Sequence, residues 1–345
     1  MPYNNVLGIE GDVPPQLQLY EMICGKWVSQ TIFAAAELGI ADQLGDATRS
    51  ADKVAQAVGA QADATYRLMR ALGSLGVLEE HDNRRFSLTE IGQFLRSDNH
   101  ASMRPYARFI GYESNWRAWE VLDETVRTGK SGYEIVYGMN LFEYLSNHPQ
   151  AAKIFNEAMV TTNHSAAVQV ANAYDFSEIQ TLVDVGGGQG ALLAALLDAN
   201  PGMRGIIYDM EHAAEGAHQL LAERDLGQRC EFASGDFFKD VPQADGCILK
   251  YIIHDWDNEH AIRILRNCVD AIPASGKVLV VERIVPPPGQ SDASKLVDIE
   301  MLALPGGIER TIDEFQELFE QASLQLTQVV PTEGFYSIIE GAPAS

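Results

Sequence analysis

Residues 181–191, TLVDVGGGQGA, decide the fold. An apolar strand, Thr181 to Val185, runs into four glycines within five positions, and Ala191 opens the apolar helical stretch ALLAALL. Glycines at a strand-to-helix turn let the backbone approach a ligand closely, and the unpaired N–H groups of the helix start face it. Outward from this turn the texture alternates. GIIYD, CEFAS, GCILK and KVLVVE follow as strand-like runs, then a closing pair, LTQVV and YSIIE, with helical stretches between most of them. Five βα-type units and a closing pair predict an α/β, Rossmann-like doubly wound domain over residues 176–345. In such sheets ligands sit beyond the carboxyl ends of the strands, so the residues just after each strand are the candidate site.

Gly186-x-Gly188-x-x-Ala191 satisfies the dinucleotide pattern G-x-G-x-x-G/A. The second strand ends at Asp209, followed by Met210, where an acid would bind ribose hydroxyls. NAD and S-adenosylmethionine both carry such a ribose, and these two features do not separate them. The third strand leads into Gly235-Asp236-Phe237-Phe238. An acid followed by aromatics suits an adenine, because the carboxylate accepts from the exocyclic amine and a ring packs on the base. The fourth ends in Lys250-Tyr251-Ile252-Ile253-His254-Asp255-Trp256.

Upstream, residues 1–15 are polar and read as an arm. From Gln16 to Leu44 the apolar residues Leu17, Leu19, Ile23, Trp27, Val28, Ile32, Phe33 and Leu38 recur at helical spacing. That face is broader than one small domain needs and predicts packing against a second subunit. Next come two helices and a hairpin. Ser50 is expected to cap the first helix and Asp63 the second, with Gly76 ending it. Val77 to Glu79 and Arg85 to Leu88 form the hairpin about a turn at Asp82-Asn83. This is the outline of a winged helix, but the helix that would read DNA offers only Arg67 and Arg70. Residues 1–100 carry 8 Lys+Arg against 13 Asp+Glu, a net of −5, which opposes phosphate binding. Residues 16–100 are therefore expected to be a dimerisation domain of winged-helix shape. Residues 101–175 read as a helical linker rich in aromatics, most of them core and a few lining a substrate pocket.

The chain has 345 residues, of which 46% are hydrophobic, enough for two domains. Its net charge of −23 disfavours nucleic acid and anionic membranes as partners. Cys24, Cys230, Cys247 and Cys268 are scattered, which argues against a disulfide framework or a zinc site. With no basic leader before an apolar run and no span of membrane length, a soluble cytoplasmic protein is expected.

From Leu182 to Arg310 the chain resembles the class I, caffeate-type S-adenosylmethionine-dependent small-molecule O-methyltransferases, in particular the bacterial members of secondary metabolism. LVDVGGGQG, YDM at 208–210, GDFF, HDW, GKVLVVE and PGGIERT carry the likeness in order and spacing. The winged-helix dimerisation domain agrees with it, and a homodimer follows. The resemblance implies S-adenosyl-L-methionine as cofactor. It places Gly186, in one loop with Gly188, at the methionine part. Asp209 takes the ribose beside Met210, Asp236 and Phe237 take the adenine, and Lys250 makes a polar contact near the chemistry. Plant relatives usually have Met where Phe237 stands and Thr where Gln189 stands. Phe155, Asn156, Met159, Met301 and Leu302 match segments that line the substrate pocket, and Asp255 is placed with them.

His254 follows a strand end beside these loops. A neutral phenol, with a pKa of about 10, is a poor nucleophile, whereas an imidazole of pKa about 6.5 is mostly unprotonated at neutral pH and accepts the proton. His254 is thus the expected general base, and the resemblance gives it Glu282 and Glu309 as partners. No metal is expected. HDWDNEH gathers His254, Asp255, Asp257, Glu259 and His260 but lacks the i, i+4 histidine pair of helical zinc sites, and Asp257 suits the cap of a helix from Asn258. The expected reaction is methylation of a phenolic hydroxyl on a small or polycyclic aromatic. The alternatives are a relative drifted to hydroxylation or N-methylation and, disfavoured, a winged-helix regulator.

Overall fold

The structure, a computed structural model, describes residues 13–344, with only the backbone of 161–165; residues 1–12 of the expected arm lie outside the described residues. The chain separates into two compact units. One comprises the residues up to Arg117 with Leu145–Thr162, the other Ala118–Tyr144 with the residues from Asn163 onward.

In the first unit the apolar run becomes three helices, α1 (Pro15–Ile23), α2 (Gly25–Leu38) and α3 (Ile40–Leu44), broken at Cys24 and Gly39. Strand β1 (Arg49–Ser50) leads into α4 (Ala51–Val58), α5 (Ala62–Ser74) and the hairpin β2 (Leu78–His81) and β3 (Arg85–Leu88). Ile40, Leu44, Val54, Met69, Leu72 and Phe86 form its core. Ser50 caps α4 by accepting from the Lys53 N–H. Asp63 does not cap α5. Gln61, in extended backbone, accepts from the Ala64 N–H at 2.6 Å, while Asp63, already inside the helix, pairs with Arg84 at 3.0 Å. Gly76 turns the chain out just beyond the helix, after Leu75. The added strand β1 pairs with β3 and is too short to show a periodicity. Leu17, Leu19, Met22, Ile23, Trp27 and Leu38 are exposed. Helix α6 (Arg104–Gly111) follows in this unit; of the next helices, α8 (Leu122–Thr128) and α9 (Gly132–Tyr137) belong to the second unit, and the residues of α7 (Glu113–Glu120), α10 (Leu141–Asn147) and α11 (Pro149–Ala173) are divided between the two.

All seven strands expected in the second unit are present: β4 (Thr181–Val185), β5 (Arg204–Asp209), β6 (Cys230–Ser234), β7 (Gly246–Lys250), β8 (Lys277–Glu282), β9 (Leu324–Pro331) and β10 (Ser337–Pro343). Helices α12 (Ala191–Ala199), α13 (Ala214–Glu223), α14 (Asn258–Asp270), α15 (Ser294–Ala303) and α16 (Ile312–Gln321) lie between them. The sheet order is β6-β5-β4-β7-β8-β10-β9, with β4 to β8 parallel and the last two antiparallel. Parallel strands are covered on both faces, so they read as unbroken apolar runs. The two covers are separate: Val183, Leu249, Val278 and Val280 belong to one cluster, Leu182, Ile248, Leu279 and Val281 to the other, which is the period of two along each strand. The strand order reverses between β4 and β7, the switch point beyond whose carboxyl ends such sheets bind ligands. Among the described residues no helix is long and apolar enough to cross a membrane.

Candidate active site

The carboxyl edge of the sheet gathers Gly186, Asp209, Asp236, Lys250 and Glu282, each at or just past the end of its strand. Gly186 and Gly188 both take left-handed backbone, with φ of 70° and 55°. A Cβ on Gly186 would strike the Ile252 side chain at 2.4 Å, while the space over Gly188 is open. The loop therefore presents bare backbone to whatever binds there. Asp209 pins it: one carboxylate oxygen accepts from the Gly188 N–H at 2.7 Å and the other from the Met210 N–H at 2.6 Å. A carboxylate has lone pairs left after two bonds, enough for ribose hydroxyls. Asp236 accepts from the Phe238 N–H and pairs with Lys239 at 3.2 Å. The Phe237 ring lies beside Gly186 and packs edge-on against Phe238.

Beneath the loop, Asp184 and Lys250 are both buried. Burial raises the Asp184 carboxyl to about 7, against the pull of Lys250, and lowers the Lys250 ammonium to about 7, against the pull of Asp184. One Asp184 oxygen, Oδ2, is buried without a hydrogen-bond partner. The open backbone at Gly188, the strand-end acid Asp209 and the unpartnered Asp184 oxygen fit a ligand carrying a ribose and polar groups, as S-adenosylmethionine does.

His254 sits on a single 3-10 turn, Ile253–Asp255, and is 7% exposed. Its Nδ1–H donates to Glu309 Oε1 at 2.8 Å, and its backbone N–H donates to Glu282 Oε1 at 2.9 Å. Nε2 lies 3.6 Å from Asp255 Oδ1, beyond a hydrogen bond. Tyr251, in left-handed backbone at φ 59°, stacks its ring on the imidazole with 5.6 Å between centroids. Burial opposes a charge on the ring. Asp255, then the bond to Glu309 and the charges of Glu282 and Glu309, outweigh it and lift His254 to about 9. Relative to an ordinary imidazole near 6.5, the surrounding carboxylates make His254 a stronger base. Burial likewise raises Glu282 to about 7 and Asp255 to about 6, in each case against the attraction of His254.

The structure thus brings His254, Glu282, Glu309 and Asp255 together. Met301 and Leu302 lie near the end of α15, half-buried. Phe155, Asn156 and Met159 stand on α11 within the first unit, where Phe155 packs edge-on against Phe109. Asp257 caps α14 by accepting from the His260 N–H. Among the described residues no group of three or more His, Cys, Asp or Glu side chains is arranged to hold a metal ion. Sequence reasoning passed over three residues of this edge. Asp184 was hidden inside an apolar strand. Tyr251 carries no sign of its left-handed backbone. Asp298 accepts from the Glu309 N–H at 2.9 Å from eleven positions away.

An O-methyltransferase domain matches residues 119–325 and an O-methyltransferase dimerisation domain residues 20–98. A phenazine O-methyltransferase of Lysobacter antibioticus is 42% identical, over 96% of this chain and 98% of its own. A mitomycin biosynthesis 6-O-methyltransferase of Streptomyces lavendulae is 37% identical, over 90% and 89%. The crystal structure of an O-methyltransferase from neocarzinostatin biosynthesis, in complex with S-adenosylmethionine and 2-hydroxy-5-methyl naphthoic acid, superposes with a TM-score of 0.80 at 33% identity, over 92% of this chain and 96% of that one.

Proposed function

This chain belongs to the S-adenosylmethionine-dependent O-methyltransferases of secondary metabolism, and we propose that it methylates a phenolic hydroxyl of a small or polycyclic aromatic with His254 as general base. The observation that carries the reading is the orientation of the imidazole. With Nδ1–H donating to Glu309 at 2.8 Å, Nε2 is the nitrogen left to take a substrate proton. A base lifted to about 9 approaches the pKa of a phenol, about 10, so the proton passes between groups of similar affinity. The cost is a small free-base fraction at pH 7, roughly 1% for a ring that titrates two units higher. Glu309 and Glu282 stabilise the imidazolium as it forms and hold the ring in place.

S-adenosylmethionine, when bound, supplies an electrophilic methyl group. Gly186, Gly188, Asp209, Met210, Asp236, Phe237 and Lys250 are the residues proposed to hold it. Phe155, Asn156, Met159, Asp255, Met301 and Leu302 are proposed to contact the acceptor. The aromatic names of the relatives, phenazine and naphthoic acid, support a flat acceptor of that class. The dimerisation domain and the exposed apolar side chains of α1 and α2 support a homodimer. Residues 16–100, 101–175 and 176–345 are proposed as its dimerisation, linker and catalytic portions, and the acidic balance as the reason a winged helix here binds no nucleic acid.

The test is methyl transfer from labelled S-adenosylmethionine across hydroxylated phenazines, benzoates, naphthoates and quinones. On an acceptor the protein turns over, His254→Ala is expected to lower kcat by roughly 10²–10⁴-fold while cofactor binding by calorimetry persists. Unchanged turnover in that variant would remove His254 from the mechanism.

A further inference from the structure

Among the described residues Arg310 is the largest side chain that is fully buried, at 1% exposure. A guanidinium removed from water is tolerated when its donors are satisfied. Here each nitrogen donates. Nε bonds to Asn258 Oδ1 at 3.1 Å, Nη1 to the carbonyls of Ile253 at 3.0 Å and Ile308 at 3.3 Å, and Nη2 to the Trp256 carbonyl at 2.8 Å and Asn258 Oδ1 at 2.9 Å. Along the chain, the acceptors at 253, 256 and 258 bracket His254, and the one at 308 precedes Glu309.

The two segments also meet directly. The Ile308 N–H donates to the His254 carbonyl at 2.8 Å, and a Cβ on Gly307 would lie 1.9 Å from that oxygen, so only glycine fits there. Behind them, Ile284 bridges to Arg310 and the Val285 N–H donates to the Arg310 carbonyl at 2.9 Å, two to three residues past Glu282. Arg310 therefore sits where the turn of His254, the loop of Glu309 and the strand end of Glu282 converge.

We propose that Arg310 is a positioning residue: its fork clamps the turn bearing His254 onto the loop bearing Glu309 and so preserves the imidazole–carboxylate contact. A planar guanidinium reaches carbonyls on several sides at once, which the single ammonium of lysine does not. Its charge also draws the Glu282 carboxyl down, against burial. The consequence for turnover rests on the reading of His254 as base, whereas the clamp itself does not.

The test separates the two. In protein labelled with 15N-histidine, the His254 Nδ1–H is assigned by its loss in His254→Asn and followed with pH in wild type and Arg310→Lys. The expected result is a folded variant that binds S-adenosylmethionine as wild type does, with that proton exchanging with water at least ~10-fold faster and turnover down roughly 100-fold, the scale of a small misplacement of a reacting group. Arg310→Lys with the same proton exchange and the same imidazole titration would overturn the clamp. Should Arg310→Lys not fold, Asn258→Ala, which keeps the arginine and removes one acceptor, is expected to speed the exchange by a smaller factor; no change there overturns the clamp equally. If His254→Ala keeps its turnover while Arg310→Lys loosens the proton, the base reading falls and the clamp stands.

Discussion

Glu340 on β10 and Glu282 at the end of β8 lie on neighbouring strands of one sheet, and both are enclosed, at 4% and 0% exposure. Around Glu340 the side chains converge: the hydroxyls of Tyr174 and Thr327, the Gln328 amide at 2.8 Å and the Lys277 ammonium at 3.0 Å all donate to it. Burial opposes its charge, but Thr327, Tyr174, Gln328 and Lys277 together hold the carboxyl down at about 2. Glu282 receives one backbone N–H, that of His254, and its other oxygen has no partner, so burial lifts it to about 7. One acid is consumed by the fold, joining Tyr174, just past α11, to three strands. The other is left short of donors beside an imidazole it can influence. Buried polar groups are normally satisfied, and Asp184, Tyr251, Glu282 and Glu309 are exceptions at the edge to which the proposed chemistry is assigned. Glu309 repeats the pattern, with Oε1 on His254 and Oε2 without a partner.

The comparison breaks most visibly at Glu309. Glu309→Gln keeps an acceptor for the Nδ1–H but removes the charge. Turnover on an accepted phenol is expected to fall by roughly 10²–10⁴-fold, because an amide neither fixes the ring's tautomer nor stabilises its cation. In wild type, kcat/KM is expected to climb with pH until about 9, where His254 loses its proton, and in the variant the limb should move to lower pH. A limb that stays in place would show that Glu309 does not set the basicity of His254. Melting temperature should change little.

Glu340→Ala inverts that outcome. It leaves Lys277 and three neutral donors without their acceptor, for an expected loss of about 3 kcal/mol in denaturant unfolding at pH 7, with turnover per folded molecule preserved. The pH dependence has a definite sign. Glu340 titrates at about 2 in the fold, below the usual 4.5, so its contribution is fully present above 4.5 and disappears as pH falls toward 2. The gap between wild type and variant should close across that window.

Much of this was legible in the sequence, for physical reasons that stop at a recognisable point. TLVDV, GCILK and KVLVVE announce themselves because both faces of each strand are covered, and Ser50 and Asp257 because a short oxygen-bearing side chain before a helix has one obvious use. His254 and Glu282 could be picked out by their places at strand ends and by the likeness to a family, Glu309 by that likeness alone. Their condition could not. Nothing in VVE or GGIERT indicates that a carboxylate oxygen is sealed away without a donor, or that an imidazole stands among three acids. The break at Cys24 was equally hidden, since the apolar spacing runs on through it. Long-range satisfaction of polar groups decides these matters, and a pattern confined to neighbouring residues does not carry it.

The finest discrimination comes from Glu282→Gln, because it touches both sides of the comparison at once. The glutamine still accepts from the His254 N–H but has no charge to desolvate. The wild-type carboxyl titrates at about 7 in the fold, above the usual 4.5, so its contribution is fully present below 4.5 and lost as pH rises through 7. At pH 5 the two proteins should therefore differ little. At pH 8 the variant should be the more stable, by roughly 1–3 kcal/mol once the unpartnered amide has offset part of the gain from removing a buried charge. It should also be the slower enzyme, since His254 loses one of the charges that raise its basicity. Melting curves at pH 5 and pH 8, with turnover measured on the same preparations, decide the matter. A variant that melts below wild type at pH 8 would place Glu282 with Glu340 among the acids that hold the fold, and the division between the two acids would no longer stand.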